Sequence, residues 1–173
     1  MEQSGGRAGK ENISCYFLRA KKRINGVIGG FDKQFYADGL KEIWQSFDAF
    51  LGLNFPDKSN SGMRKKFVQK YQSLFLDWKM SDRFRDAVTR LRASGELNDM
   101  TPGGSKSPIK IKDTTNLLEL LNFSYRVRSN LNHGSKDLED ESDKGRRNRA
   151  LVEFSFKITF EILEKVLMEE KII

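Results

Sequence analysis

Large apolar residues recur every three or four positions through most of this chain, and this spacing constrains the fold more than any other feature. One stripe of this kind comprises Tyr36, Leu40, Ile43, Trp44, Phe47 and Leu51, and another comprises Met63, Phe67, Tyr71, Leu74, Phe75 and Trp78. Such intervals place side chains on one face of an α-helix, whereas a half-buried strand would alternate apolar and polar residues. The spacing therefore predicts an all-α protein.

The stripes, with the residues that interrupt them, predict a bundle of about five to six helices. The first begins near Asn12 and weakens at the glycines of positions 26 to 30. The others are expected at about 32–53, 62–79, a shorter stretch after an N-cap at Ser81, 113–133 capped by Asp113 or Thr114, and 145–170. The last helix carries two neighbouring stripes, so it is either the central helix of the bundle or part of a dimer interface.

The remaining segments are polar or basic. Residues 1–11 are small and polar, which predicts a disordered tail before a single domain at 12–173. Residues 94–112 are rich in Gly, Pro and Lys and predict a long basic loop. Within it the alternation of residues 109–112 would suit a short strand, although no other segment offers it a partner.

Composition limits the chemistry. The 173 residues carry a formal net charge of +7, which favours contact with a polyanion such as RNA, although surplus surface lysine would explain it equally well. A single Cys and a single His exclude an internal disulfide and the usual Cys/His zinc sites within one chain. Cys15 lies among apolar residues and is expected to be a buried thiol. Without a signal peptide or a long apolar run, the protein is interpreted as cytoplasmic.

The most unusual stretch is Arg128-Ser-Asn-Leu-Asn-His133-Gly134, at the end of the predicted fifth helix. A His that titrates near neutral pH can transfer protons, and an Arg can stabilise charge on a phosphate, so the pair would suit RNA cleavage by the 2′-hydroxyl. Five positions separate the two side chains by about 140° on a regular helix. They would converge only if the helix distorts or if a second chain contributes.

This stretch resembles the Arg-x4-His signature of the HEPN superfamily, which commonly reads Arg-Asn-Asn-Leu-Phe-His-Gly. The segment Ile43-Trp44-Gln-Ser-Phe47-Asp48-Ala49-Phe50-Leu51 is also similar to the Trp-x-x-Phe-Asn-Ala-Leu helix of several HEPN groups. The resemblance covers roughly residues 35–170. It implies an up-down helical bundle that forms a homodimer and sets two motifs face to face.

The resemblance also implies an activity and residue roles. Many HEPN members are metal-independent endoribonucleases of toxin–antitoxin, abortive-infection, anti-phage or CRISPR systems, so an antitoxin or a defence-system protein would be a further partner. Arg128 and His133 would be catalytic, and Ser129 and Asp48 would be supporting polar residues. Ser135 stands where the group inhibited by a nucleotidyltransferase often has Tyr, which argues against that form of control.

Simpler interpretations remain for each residue. His133 could cap a helix, Arg128 could pair with the acidic segment 137–143, and Asp48 could face solvent. Arg126, Asn130 and Asn132 would either contact phosphate or base or merely end a helix. For the whole chain, the alternatives to an enzyme are a HEPN-like module that binds RNA, a nucleotide or a protein without catalysis, and a structural bundle. No metal or cofactor is expected.

Overall fold

The structure, a computed structural model, describes residues 3–26, 33–76, 82–93, 95, 108–132, 138 and 142–173. This part of the chain forms seven α-helices and no strand, which confirms the all-α prediction. The helices are α1 (Gln3–Ile24), α2 (Lys33–Asn54), α3 (Asn60–Tyr71), α4 (Ser73–Leu76), α5 (Asp82–Ala93), α6 (Leu117–Asn132) and α7 (Asp143–Glu169). None of these helices is long and apolar enough to cross a membrane.

The number of helices exceeds the prediction because the expected third helix is divided at Gln72. The Phe75 amide donates to the Gln72 carbonyl at 3.0 Å, a tighter turn than the α-helical bond to Tyr71 would make. The Gln72 side chain turns away and donates to the Thr115 carbonyl at 3.3 Å. Tyr71 and Phe75 nevertheless both remain in the core.

The bundle is organised around α7, which packs against α1, α2, α5 and α6 of the same chain. Both apolar stripes of α7 are buried, including Phe156 and Phe160 on one and Phe154 and Ile158 on the other. The central-helix alternative therefore accounts for the wide apolar face of this helix within a single chain.

A chain of buried hydroxyl groups fixes α6 against α2 and α7. The Trp44 indole donates to Ser124 Oγ at 3.2 Å, and Ser124 Oγ lies 2.6 Å from Thr159 Oγ1. Thr159 Oγ1 in turn lies 2.8 Å from the Ser155 carbonyl, to which it donates. Buried polar groups need such partners, so these bonds select one rotation of α6 in the bundle.

The first helix, α1, begins at Gln3, earlier than the start predicted near Asn12. Extending an existing helix is far easier than starting one, and the downstream turns of α1 are anchored by Ile13 and Phe17 in the core. The α1 helix packs on α2 near Gly9, where an added Cβ atom would lie 3.6 Å from Leu53 Cδ1, an ordinary packing distance. Cys15 is exposed, so its predicted burial is wrong.

The start of α6 also differs from the prediction. Asn116 is the capping residue, since its side-chain oxygen accepts from the Glu119 amide at 3.1 Å. Asp113 instead closes a local turn by accepting from the Thr115 amide at 2.8 Å. Residues 109–112 form no strand, and the Ser81 cap and most of the predicted basic loop lie outside the described residues.

Candidate functional site

Arg128 lies on α6 and reaches toward α2, where it meets Asp48. Its Nη2 is 2.9 Å from Asp48 Oδ2, and 19% of the Arg128 side chain is exposed compared with 34% of the Asp48 side chain. The ion pair is thus near the surface but shielded on the arginine side. Among the described residues Asp48 is the ion-pair partner of Arg128, and most of segment 137–143, the alternative partner, lies outside the described residues.

Two aromatic rings border the same guanidinium. Arg128 Cζ lies 5.7 Å from the ring centroid of Trp44 and 5.7 Å from that of Tyr125. The two rings meet edge to face, with their centroids 5.4 Å apart. A cation near aromatic faces gains attraction when water is excluded, so these rings help to hold Arg128 beside Asp48. Trp44 precedes Asp48 by one helical turn, which places both on the face of α2 that meets α6.

A second guanidinium, from Arg64 on α3, reaches the same aromatic ring. Arg64 Cζ is 4.0 Å from the Tyr125 ring centroid, and Arg64 Nε donates to Asn122 Oδ1 at 3.0 Å. Asn60, also on α3, donates to the Tyr125 hydroxyl at 3.2 Å. Only 6% of Arg64 is exposed, so it is a buried charge.

Arg64 was not among the predicted site residues. A signal was present, because Arg64, Phe67 and Tyr71 are spaced by three and four positions and are the buried residues of α3. An arginine on an apolar stripe usually has a polar partner inside the protein. The stripe drawn through Met63 concealed this, since Met63 is only partly buried.

The charges of the cluster act on one another. Burial raises the pKa of Asp48 above its usual value, although the guanidinium groups of Arg128 and Arg64 oppose this shift. Burial likewise lowers the pKa of Arg64, while Tyr125 and Asp48 oppose the shift and Arg128 adds to it. Arginine nevertheless stays protonated at any physiological pH, so the cluster keeps two cations.

The remaining predicted residues are placed differently. Asn130 is fully buried, Ser129 and Arg126 are half-buried, and Asn132 is exposed. His133, Gly134 and Ser135 lie outside the described residues, as does most of segment 137–143. The structure therefore brings together Arg128 and Asp48 among the predicted residues and adds Arg64, Tyr125 and Trp44 to them.

The cluster has the composition of an anion-binding site. Two guanidinium groups supply fork-shaped donors, and aromatic rings with amide side chains surround them. Within the described ranges, no group of three His, Cys, Asp or Glu side chains could hold a metal ion. Comparisons with protein-family models, curated proteins and solved structures found no match to this chain.

Proposed function

We propose that this protein is a HEPN-type endoribonuclease that cleaves RNA without a metal ion. The observation that carries the proposal is the partly buried Arg128, held by Asp48 and two aromatic rings, five positions before the only His of the chain. A guanidinium shielded from water stabilises a phosphate more strongly than an exposed one. The placement of Arg128 is therefore suited to transition-state binding.

The reaction uses the nucleophile that RNA carries. The 2′-oxygen attacks the neighbouring phosphorus, the bond from phosphorus to the 5′-oxygen breaks, and the products are a 2′,3′-cyclic phosphate and a 5′-hydroxyl. One proton leaves the 2′-hydroxyl and one is delivered to the departing 5′-oxygen. His133 would transfer protons, and Arg128 would bind the negatively charged phosphorane.

A homodimer would complete the site. Each chain supplies one His, whereas the reaction needs a proton acceptor and a proton donor. Two copies of the end of α6 facing each other would bring two His133 side chains and two Arg128 side chains to one cleft. The setting we propose is a toxin–antitoxin or anti-phage system, with an antitoxin or defence protein as a further partner.

The decisive experiment is RNA cleavage in EDTA by the wild type and by His133→Ala. We expect cleavage by the wild type, new ends that carry 5′-hydroxyl groups, and a rate about 10²- to 10⁴-fold lower for the variant. Arg85→Ala is a suitable control, since this exposed arginine lies on α5 and contacts Asp82 of its own helix. Equal cleavage by wild type and His133→Ala, or no cleavage by either, would refute the proposed activity.

A second candidate is a module that binds RNA, a nucleotide or a protein without cleaving RNA. The ion pair favours it, because it gives Arg128 a structural role between α6 and α2 that does not depend on catalysis. This candidate predicts RNA binding that survives His133→Ala, together with no cleavage by the wild type. The same two proteins therefore separate the candidates.

A further inference from the structure

The cluster around Tyr125 contains more positive than negative charge. Arg64 and Arg128 are cations, and Asp48 is the carboxylate that acts on both. Asp48 forms its ion pair with Arg128, and no carboxylate within the described ranges forms an ion pair with Arg64. Even with Asp48 fully ionised, the cluster therefore lacks one negative charge.

Arg64 is also incompletely hydrogen-bonded. Its Nε donates to Asn122, a neutral amide. Its buried Nη1 meets no hydrogen-bond acceptor in the described part of the chain. A buried guanidinium normally has its donors paired and its charge compensated, since both losses are costly in a low-dielectric environment. Arg64 therefore has the features of a residue whose partner is a ligand.

We propose that Arg64 is a second phosphate-binding residue, which acts with Arg128 to bind a phosphodiester group of the RNA backbone. A phosphodiester carries one negative charge, the amount that the cluster lacks, and its oxygens accept from a guanidinium fork. Both Arg64 Cζ and Arg128 Cζ lie within 6 Å of the Tyr125 ring centroid, at 4.0 and 5.7 Å. The choice of RNA rests on the proposed function, but the binding does not require cleavage.

Asp48 and Asn60 lie on the side of the cluster that is exposed to solvent. Asp48 is about one-third exposed, and the exposed Asn60 donates to the Tyr125 hydroxyl at 3.2 Å. A phosphate entering there would accept from Arg64 and would share the Arg128 guanidinium with the Asp48 carboxylate, which contacts Nη2. Tyr125 would border both guanidinium groups, as it does in the structure.

The test is binding of fluorescently labelled single-stranded RNA over a series of salt concentrations, with every protein carrying His133→Ala so that the RNA stays intact. Arg64→Met removes the charge and keeps an apolar stem, a replacement that buried ionic sites often tolerate. Lys65→Met is the matched control, because Lys65 is the exposed neighbour on the same helix and loses the same charge. Circular dichroism verifies that both variants fold.

We expect Arg64→Met to weaken binding by about tenfold and to lower the slope of log K against log salt by about 0.7. Lys65→Met should change affinity much less. Arg64→Lys should keep the slope and bind with intermediate affinity, because it retains the charge without the fork. If Arg64→Lys behaves like Arg64→Met, or if Arg64→Met binds like the control, Arg64 does not bind phosphate.

Two further results separate this proposal from the ribonuclease proposal and from binding of free phosphate. Loss of RNA binding in Arg64→Met, with no cleavage by the wild type, would support the site and refute the enzyme. Cleavage by the wild type, together with unchanged RNA binding by a folded Arg64→Met variant, would support the ribonuclease proposal and refute the phosphate site at Arg64. Inorganic phosphate and unlabelled RNA can also be compared as competitors at the same total phosphate concentration. If inorganic phosphate displaces the labelled RNA as well as unlabelled RNA does, the assignment to an RNA backbone is contradicted.

Discussion

At the scale of single residues, Asp48 carries opposing influences that can be measured. Burial raises its pKa and the two nearby guanidinium groups lower it, and the net direction is upward. As the pH rises from about the unfolded value of 3.9, the unfolded chain loses this proton before the folded chain does. The native contribution of Asp48 to the free energy of unfolding therefore falls with rising pH.

We predict that the stability difference between the wild type and Asp48→Asn, measured by urea unfolding, decreases from about pH 3 to about pH 6. Asp57→Asn provides a control of opposite sign, since hydrogen bonds from Lys66 and the Ser59 amide lower the pKa of Asp57. The free energy of unfolding of the wild type minus that of Asp57→Asn should increase over the same pH range. If the stability difference between the wild type and Asp48→Asn also increased with pH, the effect of Arg128 on the pKa of Asp48 would outweigh the effect of burial.

The pairing of Arg128 with Asp48 could be partly anticipated, whereas the role of Arg64 could not. Both predicted residues stood in recognisable motifs, and helical spacing placed Asp48 near the face of Trp44. Helical spacing could have indicated that Arg64 is buried, but its partner became visible only when α3 packed on α6 and placed the guanidinium over Tyr125. Tyr125 lies 61 positions after Arg64, and no local sequence pattern predicts a contact between residues so far apart in the chain.

At the scale of helices, apolar spacing predicted which faces are buried better than it predicted where helices end. The α2 helix, at Lys33–Asn54, begins and ends within a residue of the prediction, and both stripes of α7 are in the core. Caps were less predictable, since Asp113, Thr114 and Asn116 are all suitable residue types. Which one caps α6 depends on how Glu119 folds back to accept from the Lys112 and Asp113 amides at 2.8 and 3.0 Å.

The contact between α2 and α7 depends on Gly39, which the apolar stripes did not reveal. A Cβ atom at this position would lie 2.6 Å from Phe156 Cε1, and the Phe156 side chain is completely buried. We predict that Gly39→Ala destabilises the protein by roughly 1–3 kcal/mol, since overpacking outweighs the better helix propensity of Ala. Urea unfolding measures this loss.

Gly52→Ala, in the same helix, is the matched control. A Cβ atom at Gly52 meets nothing within 4 Å and the residue is exposed, so this change should be neutral or stabilise by up to about 1 kcal/mol. A smaller residue opposite Gly39, introduced as Phe156→Leu, should recover part of the stability lost in Gly39→Ala. Equal effects of the two glycine substitutions would disprove the close approach of α2 to α7.

At the scale of the whole molecule, the single chain buries its central helix but holds only half of the proposed catalytic groups. The four helices around α7 cover both of its stripes, so dimerisation is not needed to complete that core. The need for a second copy arises from the chemistry instead, because each chain has one His. A dimer of the proposed kind would therefore join two finished bundles through the ends of α6.

This arrangement predicts that an inactive chain suppresses an active one. Mixing the wild type with a large excess of His133→Ala, under conditions that let subunits exchange, should leave most wild-type chains paired with an inactive partner and lower cleavage per wild-type chain. Saturating RNA prevents the variant from acting as a competitor for substrate. A chain that works alone would keep its full rate in the mixture, and this outcome would contradict the composite site. Arg85→Ala, which retains the proposed catalytic residues, should raise cleavage in the same mixture because each added chain brings a complete motif.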